Sequence, residues 1–513
     1  MQAHYRYNLV EDKVTDNNNL ESERRLFDRI LKYTGVFGSV QGVSMLVTLI
    51  INMVKSRLLG PVGYGITESL NRSTDLVKNS TNLGISTVAV PAISRHVNES
   101  EINELADKVL LTRSWALLTA IIGMLVCLIF APLLSRYAFD GDRSYTLSIM
   151  ILSLSVAAAA VTGGETAILR GTGMLRQIAL SQLFTVLISL CISVPLYWLL
   201  RFEGIVPALA LSAIGGTFVI CFYSFKRFPY RACPFSFSFL KKGLGMIGFG
   251  IIFTVTAFLS AWSWLFIARY LTGKGGAELT GTYSAGYMLV TYLTTLLLAV
   301  TDSEYYPRLS GVGNNVYEAH RLMNNQAMAM CMLAGPIVIL FMICMPLVVF
   351  VVLEYDKFQP SILLAQMAVI GLYFKSVSQP VAYLVLARSD SKIYILQETV
   401  CYILLVACVA GGYRLAGIVG VGLSFAAWEF LYLMWVLIIS RIRYKYVMSS
   451  QLVRNFLIQA ALVALAALCV ISNFRLCLIP EAVICLVSIA VSVRFFKNRS
   501  SFLIYLFSKS TRQ

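Results

Sequence analysis

Charged and amide side chains recur at helical spacing inside a weakly apolar segment, residues 66–94. Along a helix that turns 100° per residue, one stripe of this segment carries Glu68, Arg72, Asp75, Asn79 and Asn82, with Lys78 at its border. An ionised group at bilayer depth costs about 2.5–3.5 kcal/mol, so such groups persist where they face a protein interior or a water-filled cavity. The stripe therefore favours a polar chamber. The alternative is that Glu68 with Arg72, and Arg72 with Asp75, neutralise each other as packing contacts.

A second group of cations lies outside that segment. Lys375 is near the middle of another apolar stretch and has no acidic neighbour in sequence, which favours a side chain that lines a cavity. Arg57 and Arg269 each end an apolar stretch, where anchoring at the membrane interface is the common alternative. These residues complete the predicted substrate-binding set: Arg72, Lys78, Lys375, Asn79, Asp75, Arg57 and Arg269.

Further polar and aromatic residues occur inside apolar stretches. Three acids could pair with a base or carry protons: Glu165, Glu398 and Glu429. Four aromatic residues could stack on sugar rings, although packing or an interfacial belt also explains them: Trp262, Trp264, Tyr283 and Tyr287. The three histidines are far apart and the eleven cysteines include no CxxC motif. We therefore predict no catalytic residues, no metal site and no cofactor.

The whole chain has the composition of a membrane protein. Of its 513 residues, 58% are hydrophobic and 13% are charged, whereas soluble domains carry about 25% charge. The apolar residues form blocks of about 20, long enough for a helix to cross a ~30 Å hydrocarbon layer. About fourteen spans are predicted: 33–55, 66–94, 114–137, 145–169, 177–200, 204–225, 243–270, 281–305, 326–352, 360–386, 393–413, 415–439, 453–473 and 477–495.

The distribution of Lys and Arg predicts the orientation of these spans. With the N-terminus in the cytoplasm, the inner segments hold nearly three times as many basic residues as the outer loops. Both termini are then cytoplasmic, and the polar segment 1–32 is a cytoplasmic tail rather than a signal peptide. This bias accounts for the net charge of +16, so nucleic acid is not an expected partner.

The chain also repeats itself with a period of about 215 residues. Four short motifs recur in order; the motif that starts at Arg57 recurs at Arg269, for example, and Val90-Pro91 recurs as Tyr306-Pro307. The unit is six spans, so both copies share one orientation and are related by a pseudo-two-fold axis along the membrane normal. The predicted organisation is a tail 1–32, a lobe 33–225, a linker 226–242, a lobe 243–445, two further helices in 446–498 and a tail 499–513.

Several glycine-rich motifs resemble those of a known group of transporters. They are RLLGPVGYG after the first span, GTYSAGYM at the start of the eighth, YYPRLS at its end, and the LRGTGMLRQ loop. The chain resembles the multidrug/oligosaccharidyl-lipid/polysaccharide (MOP) exporter superfamily, and within it the Wzx-type flippases of lipid-linked sugar repeat units. The resemblance implies two six-helix lobes around a cavity lined by spans one, two, seven and eight. It also implies cationic residues that hold a substrate diphosphate, which Arg72 and Lys78 match in kind.

The first hypothesis is a flippase that moves a polyprenyl-diphosphate-linked oligosaccharide across the cell inner membrane by alternating access, for surface polysaccharide biosynthesis. Membrane lipids and polysaccharide assembly proteins are the other expected partners. A cation-coupled multidrug exporter of the same superfamily is the alternative, but span one offers only Gln41 and Asn52 where that branch is expected to have a buried acid. A membrane polymerase or glycosyltransferase needs a sizeable outer loop, and the predicted outer loops are short, so we expect no enzymatic activity.

Overall fold

The computed structural model describes residues 2–95, 102–229, 237–300, 305–312, 315–472 and 478–510. Over these residues every regular element is helical. The helices are α1 (Gln2–Thr81), α2 (Ile85–Ser94), α3 (Ile102–Ala138), α4 (Thr146–Gly171), α5 (Leu175–Leu200), α6 (Ile205–Arg227), α7 (Phe237–Lys241), α8 (Leu244–Val300), α9 (Tyr306–Gly311), α10 (Val316–Val352), α11 (Tyr355–Ala368), α12 (Ile370–Ala387), α13 (Ser391–Tyr444), α14 (Ser450–Ile471) and α15 (Leu478–Ser510). A 3₁₀ turn, Arg201–Gly204, joins α5 to α6. The prediction of an all-α polytopic membrane protein is confirmed.

The predicted tails and linker are only partly covered by the described residues. The polar segment 1–32 falls within α1, apart from residue 1, and the end of the chain falls within α15 up to Ser510. Residues 230–236 of the predicted linker and residues 511–513 of the predicted C-terminal tail lie outside the described residues.

Ten segments of the described chain are long and apolar enough to cross a membrane. Four of them are 40–54 residues long, and in each the chain turns at a residue with positive φ: Gly60, Arg201, Gly276 and Gly417. Every one of these turns falls at, or within about three residues of, a predicted outer loop. Each long segment therefore overlaps two predicted spans. The total of fourteen spans stays a prediction, because length and composition alone give ten.

The second predicted span, 66–94, runs past the end of the helix in which it begins. That helix ends at Thr81, and Leu83 and Gly84 then adopt positive φ angles of 49° and 62° before α2 begins. The turn brings the backbone of Gly84 close to α8, since a Cβ at Gly84 would lie 2.9 Å from the Gly250 carbonyl oxygen. The prediction missed this break because hydropathy averages over a two-residue turn.

The two halves of the chain, α1–α7 and α8–α15, meet where α1 packs along α8. A Cβ built on Gly65 would overlap the Ala277 carbonyl oxygen, and a Cβ built on Gly281 would overlap the Pro61 carbonyl oxygen. Both glycines are therefore needed for the two backbones to touch. The contact is reciprocal, and its glycines belong to the two copies of the sequence repeat. Two-fold pseudosymmetry would produce this arrangement, although the predicted lobe boundaries stay a prediction.

The hydrophobic core is also divided between the halves. One large cluster draws almost entirely on α8–α15, and three smaller clusters lie mainly within α1–α7. The last two helices are attached to the second half. Gln459 of α14 donates to Ser492 of α15 at 3.0 Å, and Ser492 donates to the Met332 carbonyl oxygen of α10 at 2.7 Å.

Candidate functional site

The charged stripe predicted in span two lies on the second limb of α1, residues 61–81. Arg72 Nε donates to Glu68 Oε1 at 2.7 Å, and Lys78 Nζ donates to Asp75 Oδ1 at 3.1 Å. Asp75 therefore pairs with Lys78, three positions further along the helix, while Arg72 is hydrogen-bonded to Glu68. These four side chains keep 19–39% of their surface exposed, so the stripe is not sealed in dry protein.

Arg72 also contacts the other half of the molecule. Its guanidinium carbon lies 5.2 Å from the centre of the Trp264 ring on α8. A cation–π contact of this kind is worth about 0.5–2 kcal/mol. Trp264 in turn packs on Tyr287, with 5.0 Å between the ring centres. The tertiary structure thus brings the polar stripe of span two together with aromatic residues of spans seven and eight.

Lys55 is a cation that sequence reasoning left out of the predicted set. Its ammonium lies 3.5 Å from the centre of the Tyr64 ring, and it interacts electrostatically with Glu68. The Tyr64 hydroxyl donates to Asn52 Oδ1 at 2.7 Å, and the Asn52 amide donates to the Tyr292 hydroxyl at 3.1 Å. A polar chain therefore runs from span one to span eight across the junction of the halves. In the sequence, Lys55 is marked only by its position at the end of an apolar block.

Three other members of the predicted set lie apart from these contacts. Arg57 is exposed. The Arg269 guanidinium lies 4.5 Å from the centre of the Tyr137 ring on α3, which makes it a packing contact between the halves. Asn79 is partly buried on the same limb as Arg72. The structure therefore gives Arg57 and Arg269 no place beside Arg72.

A cavity of about 330 Å³ lies inside the second half, between α8, α12 and α13. Its wall contains Lys375, two carboxylates, two glutamine amides and seven aromatic side chains, among them Trp264 and Tyr287. Aromatic faces beside hydrogen-bonding groups offer both stacking and polar contacts to a bound solute. Since Trp264 both lines this cavity and lies under Arg72, the cavity adjoins the stripe of span two.

Lys375 lies in the wall of this cavity, and there it has an acidic partner. Its Nζ donates to Glu429 Oε1 at 3.1 Å. Glu429 follows 54 positions later on α13, and that separation hides the pairing from a local reading of the sequence. Lys375 keeps 34% of its side chain exposed and Glu429 keeps 6%. Glu398 also lines the cavity. The formal charge of the cavity wall is therefore −1, and not the positive value expected from Lys375 alone.

A second buried ion pair lies in the first half of the molecule. Arg113 of α3 donates through Nε to Glu165 Oε1 of α4 at 2.8 Å and through Nη2 to Oε2 at 3.2 Å. Nη2 also donates to the Phe228 carbonyl oxygen at 3.0 Å, and both charged side chains are only 4% exposed. Glu165 is therefore a structural partner, one of the two roles that its position allowed.

Sequence comparison gives the class of protein. The chain matches the family described as polysaccharide biosynthesis protein over residues 30–312, which is more than half of its length, and it belongs to that family. A search of curated protein sequences finds no match. The family match and the fold together make it a MOP superfamily exporter that resembles the Wzx-type flippases, as the glycine-rich motifs indicated.

Solved structures share this fold at low sequence identity. The lipid II flippase MurJ in an inward closed conformation matches with a TM-score of 0.69 and 12% identity, over 91% of this chain and 99% of that one. An inward-facing multidrug resistance MATE family transporter matches with a TM-score of 0.64 and 13% identity, over 78% and 94%. A MOP superfamily transporter from Pyrococcus furiosus matches with a TM-score of 0.58 and 12% identity, over 81% and 96%. The chain therefore has the fold of a multi-pass transporter.

Proposed function

We propose that the protein is a flippase that moves a polyprenyl-diphosphate-linked oligosaccharide from the cytoplasmic to the outer leaflet of the cell inner membrane. One observation carries the proposal. Arg72, a cation suited to a diphosphate, lies over Trp264, which is also part of an aromatic cavity suited to sugars. A diphosphate-linked sugar needs both chemistries side by side, because its phosphates require charged donors and its rings require flat apolar faces with polar rims.

The region around Arg72 and the adjoining cavity differ in charge, and each suits a different part of the substrate. Around Lys55, Glu68 and Arg72 the net formal charge is +1, which suits an anionic diphosphate. In the adjoining cavity the acids and amides can accept and donate hydrogen bonds to hydroxyl groups, while Trp264 and Tyr287 can stack on a sugar ring. The lipid tail would stay in the bilayer. No covalent step is required, so the proposed activity is transport without enzymatic conversion.

Alternating access would act at the junction of the halves. On the predicted outer side the backbones of α1 and α8 touch at Gly65 and Gly281. This contact would close that side. Opening toward the outside would separate this contact. The two halves, related by the predicted pseudo-two-fold axis, would then rotate relative to each other.

A cation-coupled multidrug exporter is the second candidate, because Glu398 and Glu429 line the cavity and MATE transporters share the fold. Two observations favour the flippase over it. Span one, residues 33–55, contains no acid, and Glu429 already has Lys375 as its partner.

Reconstitution into liposomes tests the proposal. A fluorescent polyprenyl-diphosphate oligosaccharide is placed in one leaflet. The fraction of its fluorescence that a membrane-impermeant quencher can remove is followed over time. We expect wild-type protein to equilibrate the lipid between leaflets and Arg72→Gln to slow this by tenfold or more, about 1.4 kcal/mol. Arg136→Gln is the matched control, since Arg136 is exposed at the end of α3. Equal rates for wild type and Arg72→Gln, or transport of a cationic dye in place of the lipid, would reject the flippase.

A further inference from the structure

A second concave site lies at one end of the second half. It is separate from the chamber, which consists of the Lys375 cavity and the adjoining stripe of span two. It has a volume of about 710 Å³ and lies where α12 ends, where α10 and α13 begin and where α13 returns to end. Valine, alanine and leucine side chains form an apolar part of its wall, and the polar part consists of His320, Arg388, Ser389, Asp390, Arg443, Tyr444 and Lys445. Leu384 and Arg388 face this cleft, whereas Tyr383 and Leu386 of the same turn face the chamber. One helix therefore separates the two sites.

The cleft has an excess of positive charge. Three side chains in its wall are permanent cations, Arg388, Arg443 and Lys445, and Asp390 is its one carboxylate, which gives +2 with the histidine neutral. Asp390 is already engaged, because its Oδ2 accepts from Arg443 Nε and from the Tyr444 hydroxyl, each at 3.3 Å. Its other oxygen accepts from the backbone N–H at the start of α13 at 3.5 Å. The one negative charge of the wall is therefore already shared with groups of the cleft itself.

Helix dipoles do not account for this charge. Two helix N-termini and two helix C-termini meet at the cleft, so their partial charges oppose one another. The side chains decide the sign, and the local backbone holds them in place. Ser389 and Lys445 adopt left-handed φ angles of 53° and 55° that end the two helices, and His320 Nε2 donates to the Tyr444 carbonyl oxygen at 3.1 Å.

We propose that this cleft binds a phosphate group. Guanidinium and ammonium groups are the side chains that bind phosphate oxygens, and three of them converge here on a hollow with an apolar wall. The apolar part suits a phosphate that carries a glycerol or acyl group, and the polar part suits a free phosphate. The shared chemistry is an anionic phosphate, whose source is either a membrane phospholipid headgroup or a soluble phosphate. This site is independent of the proposed substrate and of the chamber residues.

Two binding arms on the full-length protein in detergent distinguish the sources. Native mass spectrometry counts bound phosphatidylglycerol, with zwitterionic phosphatidylcholine as the reference lipid. Inorganic phosphate is titrated separately, and the rise in unfolding temperature is recorded. The cleft variant is Arg388→Gln with Lys445→Gln, and the matched control is Arg227→Gln with Arg441→Gln, which removes two exposed basic residues from helix ends outside the cleft.

We expect the cleft variant to bind one of the two probes about tenfold more weakly than wild type, while the control binds as wild type does. Preference for phosphatidylglycerol identifies a lipid headgroup, and an effect confined to inorganic phosphate identifies a soluble ligand. Should the double variant fail to fold, Lys445→Gln alone serves, because this side chain is exposed. If the cleft and control variants match wild type with both probes, the proposal is overturned. Flipping of the lipid-linked sugar is measured separately and does not enter this result.

Discussion

Two ion pairs, one in each half of the molecule, have similar chemistry and opposite surroundings. Arg113 and Glu165 of the first half are bound through two hydrogen bonds and are closed off from solvent, and the same guanidinium also reaches the Phe228 carbonyl oxygen. Lys375 and Glu429 of the second half share a single hydrogen bond in the wall of a cavity. The first pair has every partner it needs within the protein. The second leaves the lysine with donors available to a bound solute.

The role of an intramembrane charge therefore depends on the groups that surround it. A charge whose hydrogen bonds are all used by neighbouring helices stabilises their packing, and removing its partner leaves an uncompensated ion in a dry site. A charge that is paired but wetted by a cavity can exchange its partner for a ligand at low cost. Three-dimensional surroundings, rather than residue type, separate the two cases. Four substitutions test this contrast and the contact between the two halves that hold the pairs.

The largest effect is expected for Arg113→Leu. Glu165 would remain buried without its partner, which costs about 3–5 kcal/mol of folding stability. Thermal unfolding of the purified protein measures the loss. The double variant Arg113→Leu with Glu165→Leu should recover most of it, because neither charge is then left unpaired. A single variant as stable as wild type would mean that the site is hydrated, and the contrast between the two pairs would disappear.

Gly65→Ala tests whether the two differing halves meet through a close backbone contact. A methyl group at this position overlaps the Ala277 carbonyl oxygen, so α1 and α8 must separate, at a cost of about 1–3 kcal/mol. We expect a lower unfolding temperature and slower lipid flipping. Gly411→Ala is the control, since a Cβ at that glycine of α13 meets open space. Equal stability of the two variants would contradict the contact.

Lys375→Gln should impair transport more than folding. Glu429 loses its ion pair and is only 6% exposed, but it lies in the cavity wall, where water can take the place of the removed ammonium. The loss of stability should therefore be below that of Arg113→Leu. Flipping should slow about tenfold if the ammonium also binds the solute. Lys357→Gln removes a lysine from an exposed ion pair and should leave both measurements unchanged. If Lys375→Gln unfolds as easily as Arg113→Leu, the cavity is dry.

The smallest effect is expected for Arg72→Lys. The charge remains, but the planar guanidinium over Trp264 is lost, which is worth about 0.5–1 kcal/mol, or roughly two- to fivefold in transport rate. A double-mutant cycle with Trp264→Leu measures the coupling between the two side chains. Additive losses would show that the contact between the halves contributes nothing to transport.

Much of the candidate site could be recognised from the sequence. The polar stripe of span two and the aromatic residues Trp264 and Tyr287 were visible because each set lies within one or two helices, where helical spacing governs which residues share a face. The contribution of Glu429 could not be read in this way. Its partner lies 54 positions away, and only the packing of α12 on α13 brings the two together. Lys55 and Arg57 differ by two positions, and the fold decides which of them turns inward.

Hydropathy, spacing and short motifs were enough to predict a helical membrane protein with an internal repeat and MOP-type motifs. Hydropathy and short motifs are local properties that survive without knowledge of contacts. Three features could be found only in the folded molecule: which charges are paired, which charges face a cavity, and where the halves touch. Those depend on distances between helices that are far apart in the chain. In a low-dielectric interior, a few ångströms separate a neutralised charge from one that can bind a ligand.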